Sequence, residues 1–310
     1  RQKFDDDILK DKKHIHMIGI GGSGMYPLAQ ILHSKGYYIT GSDNNETDTL
    51  KAVRSMGIEV FLGQSADNIK GADLIIRTAA IMQDNPELIA ANASGVPVLE
   101  RSELLGIITK MYSNAVCVSG THGKTTVTSM ITQILKQGGI DITAYIGGKL
   151  PIIGGSGCVG SSETMVCEAC EFEDHFLKLY PDIAVVLNVD ADHLDYFGTL
   201  DNIKKSFGKF CSMAGKVIAN GDDKNTMSAL EGIENIITFG YSDGCEWQPA
   251  NVERKNGLLT EFDIIHNGGL FTHAALHVPG EHNVLNAVAA AAAAYESGAD
   301  GEMVLSLIHI

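Results

Sequence analysis

The residues of this sequence best placed for chemistry are a lysine and a threonine that directly follow a glycine turn. The turn and its continuation are Gly120, Thr121, His122, Gly123, Lys124, Thr125 and Thr126. Backbone N–H groups of such a turn, together with the N-terminus of a following helix, can point at one anion. The Lys124 ammonium can reach the β- and γ-phosphates of a nucleoside triphosphate, and the Thr125 hydroxyl is placed to ligate Mg²⁺. The pattern therefore predicts a site that holds the phosphates of a nucleotide. The alternative is a glycine-rich turn with a solvated lysine.

The elements on either side of this turn support the prediction. Ala115–Val118 is a short apolar run, which is typical of a buried strand. Apolar residues with helical spacing follow the turn at Val127, Met130, Ile131, Ile134 and Leu135. The usual P-loop would have a glycine where this chain has Val118, so the spacing G-x-x-G-K-T-T makes a shorter loop.

A carboxylate and an imidazole come after two other predicted strands. Glu168 ends the short strand that begins at Met165, and His193 lies five residues past Asn188, at the end of an apolar strand. In open α/β sheets, ligands bind beyond the carboxyl ends of the strands. Thr125, Glu168 and His193 beside triphosphate oxygens would therefore suit Mg²⁺ or Mn²⁺.

The predicted metal site has an alternative at His193, and acidic residues near it are assigned no role in the site. The alternative is that His193 is a loop histidine bonded to Asp190 or Asp195. A second group is interpreted as a solvated turn, namely Glu171, Glu173 and Asp174.

Two asparagines near the end of the chain could recognise a base. Asn283 and Asn286 are three residues apart, so they share one face of a predicted helix at its first turn. An amide offers both a donor and an acceptor, as reading the edge of adenine requires. Capping of the helix is the alternative.

A second glycine turn lies near the start of the chain. Gly19, Gly21 and Gly24 form G-x-G-x-x-G between a strand and a helix, and Asp43 follows the next strand. This is the setting of a dinucleotide-binding fingerprint, in which the turn approaches a diphosphate and the acid accepts from a sugar hydroxyl. The physics selects a nucleotide diphosphate and not NAD in particular. The alternative is that the glycines serve only a tight turn.

The order of elements predicts an α/β protein with two domains. Residues 1–112 are expected to form a Rossmann-like domain with an open parallel sheet of about five strands. Residues 113–304 are expected to form a P-loop-type α/β ATPase domain, with an antiparallel hairpin within residues 252–277.

Composition narrows the functional class. The net charge of −15 argues against a nucleic-acid partner. No apolar run approaches the ~18 residues of a membrane span, and the charged first residues do not resemble a secretory signal, so a cytoplasmic location without a membrane partner is expected. Cys167 and Cys170 have C-x-x-C spacing, for which we prefer reduced thiols at a buried strand end over a redox pair.

The last six residues, LSLIHI, are expected to be a non-native tail. The codons CTG-TCT-CTT-ATA-CAC-ATC encode this string and match the end of a common sequencing adapter. Residues 305–310 are therefore left out of the fold prediction.

These motifs occur in the order found in the Mur ligases, which form amides with ATP in peptidoglycan precursor synthesis, and the chain resembles that family over residues 13–301. The segments that carry the resemblance are HMIGIGGSGM, GSD, GTHGKTT, EACE, NVDADHLDYF and HNVLNA.

The resemblance implies a role for each site. The first domain would bind the UDP part of UDP-N-acetylmuramate at Gly19, Gly21, Gly22, Ser23, Gly24 and Asp43. The second would bind ATP at Gly120–Thr126, with Asn283 and Asn286 facing adenine. It also implies that Lys124, Glu168 and His193 are catalytic, and that Thr125, Glu168 and His193 serve the metal.

The implied reaction attaches L-alanine to the carboxylate of UDP-N-acetylmuramate through an acyl phosphate. The GIGGSGM segment favours this reaction over that of the relative that recycles murein tripeptide. The family's third domain is expected to be missing, so residues 1–304 alone are expected to turn over slowly. The rival functions are an NAD-dependent oxidoreductase and a nucleotide-binding module without ligase activity.

Overall fold

The protein is represented by a computed structural model that describes residues 8–255, 259–278 and 280–304. The predicted tail at residues 305–310 lies outside the described residues. The elements of the first part of the chain are β1 (His14–Ile18), α1 (Tyr26–Ser34), β2 (Tyr38–Asp43), α2 (Asp48–Ser55), β3 (Glu59–Leu62), β4 (Leu74–Arg77), α3 (Pro86–Ser94), β5 (Val98–Glu100) and α4 (Arg101–Thr109). A 3-10 helix covers Ala66–Ile69.

The elements of the second part begin with the strand that leads into the glycine turn Gly120–Gly123, which we name the phosphate turn. They are β6 (Asn114–Ser119), α5 (Lys124–Gln137), β7 (Thr143–Leu150), β8 (Gly155–Cys158), β9 (Thr164–Glu168), β10 (Ile183–Val186), α6 (Leu194–Phe197), α7 (Leu200–Ser212), β11 (Lys216–Asn220), α8 (Lys224–Ala229), β12 (Ile236–Phe239), β13 (Trp247–Arg254), β14 (Thr260–His266), β15 (Gly269–Leu276), α9 (Glu281–Glu296) and α10 (Gly301–Val304). Short 3-10 helices cover Pro151–Ile153 and Phe172–Lys178.

The chain divides into two compact units. The first comprises residues up to Ile108 together with Ala144–Val159, and the second comprises Thr109–Thr143 and the residues from Gly160 onward. The predicted boundary near residue 112 had left Ala144–Val159 in the second domain. In the structure this segment holds most of the antiparallel hairpin β7–β8, which packs against α1.

The first unit is built on a five-stranded parallel sheet in the order β3-β2-β1-β4-β5. This confirms the predicted Rossmann-like sheet. Local signals set its helix bounds, as α3 illustrates. Asn85 caps that helix by accepting from the backbone N–H groups of Glu87 and Leu88, Pro86 occupies the first turn, and Gly95 ends it with φ 74°.

Among the described residues of the second unit, eight strands are paired in the order β15-β14-β13-β12-β11-β10-β6-β9. Pairing is parallel from β9 to β13 and antiparallel from β13 to β15, so the predicted hairpin is a three-stranded antiparallel ribbon. The two central strands β6 and β10 are almost wholly buried. Helix α9, which contains the buried alanine run Ala289–Ala294, packs against α5. This contact fixes the first turn of α9 relative to the phosphate turn.

Candidate functional site

The phosphate turn of the second unit depends on two glycines. Gly120 has φ 147° and Gly123 has φ 90°, both in the region that favours glycine. A Cβ on Gly123 would lie 3.1 Å from Asn286 Oδ1, and one on Gly120 would lie 3.0 Å from Leu187 Cβ. Gly123 is also the N-cap of α5, where no side chain of the described residues caps the helix. The first N–H groups of α5 therefore remain available to an anion.

A neighbouring segment holds this turn in place. Asn188 Oδ1 accepts from the His122 backbone N–H at 2.8 Å, and Asn188 Nδ2 donates to the His122 carbonyl at 3.0 Å. The Thr121 hydroxyl accepts from the Asp190 N–H at 2.9 Å, and the Thr121 N–H donates to the Asn188 carbonyl at 3.1 Å. Asn188 was placed at a strand end by its sequence, but its contact with the turn was not predicted.

Lys124 lies in the first turn of α5 and points back into the glycine turn. Its Nζ donates to the Gly120 carbonyl at 2.6 Å, and to Glu171 at 2.9 Å (Oε2) and 3.2 Å (Oε1). The lysine side chain is 18% exposed and the glutamate side chain 3% exposed. The ammonium is therefore positioned at the predicted phosphate site and is not a solvated lysine.

The prediction that Glu171 belongs to a solvated turn is wrong. Its carboxylate is buried, and its Oε1 also lies 3.7 Å from His193 Nε2. Glu173 is exposed, as predicted, and lies 3.5 Å from His175 Nε2. Asp174 instead accepts from the hydroxyls of Tyr196 and Ser206. Sequence spacing could not separate these acids, because burial of Glu171 comes from tertiary contacts with Lys124.

His193 precedes α6 with a left-handed φ of 51°. Its ring lies 4.9 Å from the Phe172 ring, centroid to centroid, and its side chain is 35% exposed. The carboxylates near it among the described residues are those of Glu171 and, at 4.0 Å, Asp192. The alternative bond to Asp190 or Asp195 is therefore not what these residues show.

The other two predicted metal ligands occupy the expected elements. Thr125 is exposed in the first turn of α5, and Glu168 is the last residue of β9, paired in register with Val118 of β6. Within the described ranges, no three His, Cys, Asp or Glu side chains are arranged to hold a metal ion by themselves.

The two asparagines of α9 share a face, as their spacing predicts. Asn286 Nδ2 donates to Asn283 Oδ1 at 3.2 Å, and Asn286 lies against Gly123 of the phosphate turn. Helix α9 begins at Glu281 with Gly280 as its N-cap, and no described side chain caps it. Neither asparagine is the N-cap residue of this helix.

The glycine turn of the first unit is held by Asp43. The carboxylate Oδ2 accepts from the Gly21 backbone N–H at 3.0 Å, and Gly19 has φ 81°. A Cβ on Gly24 would lie 2.8 Å from Arg101 Nη1 and 2.9 Å from the Tyr145 hydroxyl. Arg101 and Tyr145 hydrogen-bond each other beside the turn, and neither was predicted. The position of Arg101 directly after β5 is the one sequence signal for it.

A buried polar network lies below this turn. Glu87 Oε2 accepts from the Ser42 hydroxyl at 2.6 Å and lies 3.4 Å from His16 Nε2, while Asn68 Nδ2 donates to Glu87 Oε1 at 2.5 Å. Burial alone would raise the pKa of Glu87. The hydrogen bonds from His16, Ser42 and Asn68 outweigh it and hold that pKa below its ordinary value. The Ser42 carbonyl accepts from the Gly19 N–H at 2.8 Å, so the network supports the turn.

The cysteines of the C-x-x-C spacing have different environments. Cys167 is fully buried, with its Sγ 3.5 Å from Cys117 Sγ on the adjacent strand β6. Cys170 is exposed. The structure therefore agrees with a thiol at a buried strand end.

No helix among the described residues is long and apolar enough to cross a membrane.

The chain belongs to the Mur ligase family. Residues 14–113 match the family described as "Mur ligase family, catalytic domain", and residues 118–294 match the "Mur ligase middle domain". The predicted family and the predicted α/β fold class are both confirmed.

Curated relatives carry a more specific name. A UDP-N-acetylmuramate–L-alanine ligase from Caldanaerobacter subterraneus subsp. tengcongensis is 44% identical over 298 residues, which cover 95% of this chain and 65% of that protein. One from Acetivibrio thermocellus is 44% identical over 291 residues, covering 92% of this chain and 62% of that protein. The chain thus spans somewhat less than two thirds of the length of these relatives.

Solved structures show the same likeness. The UDP-N-acetylmuramate-alanine ligase of Thermotoga maritima matches with a TM-score of 0.83 and 30% identity, covering 96% of this chain and 68% of that one. A UDP-N-acetylmuramate:L-alanyl-gamma-D-glutamyl-meso-diaminopimelate ligase from Neisseria meningitides matches with a TM-score of 0.85 and 26% identity, covering 96% of this chain and 98% of that one.

Proposed function

We propose that the protein carrying this chain uses ATP to join L-alanine to the carboxylate of UDP-N-acetylmuramate. The observation that carries the proposal is the position of Gly123. It starts α5 in a left-handed conformation that leaves the helix N-terminus uncapped by described side chains, and it lies against Asn286. One short turn thus brings together a phosphate-binding helix end, Lys124 and an amide suited to adenine.

The residues of the second unit would act on ATP by positioning and by charge. The N–H groups at the start of α5 would hold phosphate oxygens, and Lys124 would turn from Glu171 towards the β- and γ-phosphates. Thr125, Glu168 and His193 would hold Mg²⁺ or Mn²⁺ together with phosphate oxygens, since these residues alone make an incomplete ligand set. Such an ion, when bound, supplies positive charge at the transferring phosphoryl group.

The first unit would bind the muramyl nucleotide. Its turn contains Gly19, Gly21, Gly22, Ser23 and Gly24, whose backbone can approach a diphosphate closely. Asp43 is committed to the Gly21 N–H, so we assign it to holding the turn in shape and to accepting from a sugar hydroxyl with its remaining lone pairs.

The reaction class follows from the substrates. A carboxylate is a poor acylating agent, so its oxygen attacks the γ-phosphorus of ATP and ADP leaves, which gives an acyl phosphate. The amine of L-alanine then attacks the acyl carbon, a C–N bond forms, the acyl C–O bond breaks, and inorganic phosphate leaves with a proton lost from nitrogen. Positioning and charge neutralisation dominate catalysis of such phosphoryl transfers.

The 44% identity to L-alanine ligases supports this amino acid over a murein tripeptide. The test is ADP release by the protein with UDP-N-acetylmuramate and, separately, L-alanine, glycine, L-serine or the tripeptide. The expected result is ADP release that requires the muramyl nucleotide and is fastest with L-alanine. ADP release that ignores both substrates would favour a nucleotide-binding module, and NADH binding to the first unit would favour the oxidoreductase.

A further inference from the structure

Glu171 is the most buried carboxylate at the phosphate turn. It is 3% exposed and lies between two basic groups, Lys124 Nζ at 2.9 Å from Oε2 and His193 Nε2 at 3.7 Å from Oε1. The contact with Lys124 is bidentate, while that with His193 is beyond hydrogen-bond distance. The lysine is therefore the main charge partner of Glu171 among the described residues.

A buried carboxylate of this kind needs a cation beside it. Breaking a buried ion pair by removing one partner leaves an uncompensated charge, which is strongly unfavourable. The proposed ATP site makes the same demand on Lys124, since this ammonium must turn towards phosphate. Nucleotide binding would thus leave Glu171 without its cation and place it close to a polyanion.

We propose that Glu171 is a positioning residue that couples nucleotide binding to divalent-cation binding. Lys124 moves from Glu171 to the phosphates, and a divalent cation on the His193 side replaces its charge beside the buried carboxylate. The inference rests on the proposed ATP site. It assigns to Glu171 a role that differs from that of Glu168 and His193, because Glu171 acts through its effect on Lys124.

The consequence is a specific dependence on metal. Without a divalent cation, ATP must bind beside the Glu171 charge, and Lys124 is divided between carboxylate and phosphate. With the cation present, both conflicts disappear. Replacing the carboxylate by an amide of the same shape removes the conflict in either condition, so the affinity for nucleotide should lose the part of its metal dependence that comes from Glu171.

The experiment is calorimetry with the β,γ-imido analogue of ATP, in excess EDTA and in excess Mg²⁺. For Glu171→Gln we expect affinity in EDTA at least tenfold tighter than that of the unsubstituted protein, and a gain on adding Mg²⁺ at least tenfold smaller. Glu173→Gln is the matched control, because Glu173 is exposed in the same segment. It should behave as the unsubstituted protein does.

Glu171→Asp tests whether charge is what matters. It keeps the carboxylate, so it should keep the Mg²⁺ dependence within about threefold of the unsubstituted protein. Unchanged metal dependence in Glu171→Gln, or its loss in Glu171→Asp, would overturn the inference. If the unsubstituted protein failed to bind the analogue even with Mg²⁺, the proposed ATP site itself would fail, which is a distinguishable result.

Discussion

The side-chain amide of Asn188 makes two hydrogen bonds to the backbone of one residue, His122, in the phosphate turn. Oδ1 accepts from the His122 N–H at 2.8 Å, and Nδ2 donates to the His122 carbonyl at 3.0 Å. The amide pairs with the peptide group as an adjacent strand would. The two bonds hold the turn in one shape, which reduces the entropy lost when a nucleotide binds.

Asn188→Ala should weaken binding of the ATP analogue by about tenfold. Each hydrogen bond contributes a net ~0.5–1.5 kcal/mol, and part of that stabilisation orders the turn. The affinity of Asn188→Asp for the ATP analogue should fall between those of Asn188→Ala and the unsubstituted protein, because a carboxylate accepts from the His122 N–H but cannot donate to its carbonyl. Asn202→Ala is the control, since Asn202 also bonds a backbone carbonyl, that of Phe197, at the start of α7. If calorimetry gave Asn188→Ala the same affinity for the ATP analogue as the unsubstituted protein, the role of Asn188 in ordering the turn would be contradicted.

Gly123→Ala should abolish measurable binding of the ATP analogue and lower the melting temperature. A left-handed φ is unfavourable for alanine by ~1–2 kcal/mol, and the added Cβ would also meet Asn286 Oδ1 at 3.1 Å and Leu187 Cδ1 at 3.3 Å. Gly139→Ala isolates the backbone effect, because Gly139 has φ 84° with nothing among the described residues within 4 Å of a Cβ. It should lower the melting temperature less and leave binding intact. Equal melting temperatures and equal affinities for Gly123→Ala and Gly139→Ala would show that crowding at Gly123 is unimportant.

Lys124→Ala should remove binding of the ATP analogue and also destabilise the fold. The lost charge-assisted bonds to phosphate are worth ~1.5–3 kcal/mol. The structure adds a second effect, since Glu171 would keep its charge at 3% exposure without the ammonium. Lys136→Ala, near the other end of α5 and paired with Asp141 at 3.5 Å, should change neither property. Retained affinity would exclude Lys124 as a phosphate ligand.

Asp43→Ala should weaken the binding of UDP-N-acetylmuramate about tenfold and leave the binding of the ATP analogue unchanged. The Gly21 N–H loses a bond to a charged acceptor, which is worth ~1.5–3 kcal/mol, so the turn loses its fixed shape. Asp48→Ala is the control, because the Asp48 side chain is 93% exposed. A fall in affinity for the ATP analogue instead would show that the two ligands are assigned to the wrong units.

Glu87→Gln should change how stability depends on acid pH. The folded-state pKa of Glu87 lies below its ordinary value, so its ionised form adds stability that is fully present above that value. This contribution is lost as the pH falls through the folded-state pKa. The variant should be less stable at neutral pH by ~1–3 kcal/mol, and the difference should shrink as the pH falls below 4.5. Urea unfolding from neutral to acid pH measures the difference in unfolding free energy between the variant and the unsubstituted protein. A difference that did not change with pH would refute the lowered pKa of Glu87 in the folded state.

The features that sequence predicted correctly are those that local patterns determine. Strand β6, the glycine turn and α5 follow from an apolar run, two glycines and helical spacing. The shared face of Asn283 and Asn286 follows from their separation of three residues. The bounds of α3 are local in the same way, since Asn85 caps the helix, Pro86 lies in its first turn and Gly95 ends it.

The features that sequence missed arise from contacts between distant segments. Glu171 and Glu173 are two residues apart and chemically identical, yet only Glu171 meets Lys124, 47 residues away. The bond from the Gly21 N–H to Asp43 and the placement of Tyr145 beside Gly24 have the same origin. No local pattern contains that information.

The most direct test of the proposed ligase follows an oxygen label. UDP-N-acetylmuramate carrying ¹⁸O in its carboxylate is incubated with the protein, ATP, Mg²⁺ and L-alanine, and the products are analysed by mass spectrometry. The proposal predicts an amide with L-alanine and inorganic phosphate that contains one ¹⁸O, because the carboxylate oxygen attacks phosphorus and leaves with it. Phosphate without the label, or ADP formed at the same rate without the muramyl nucleotide, would contradict it.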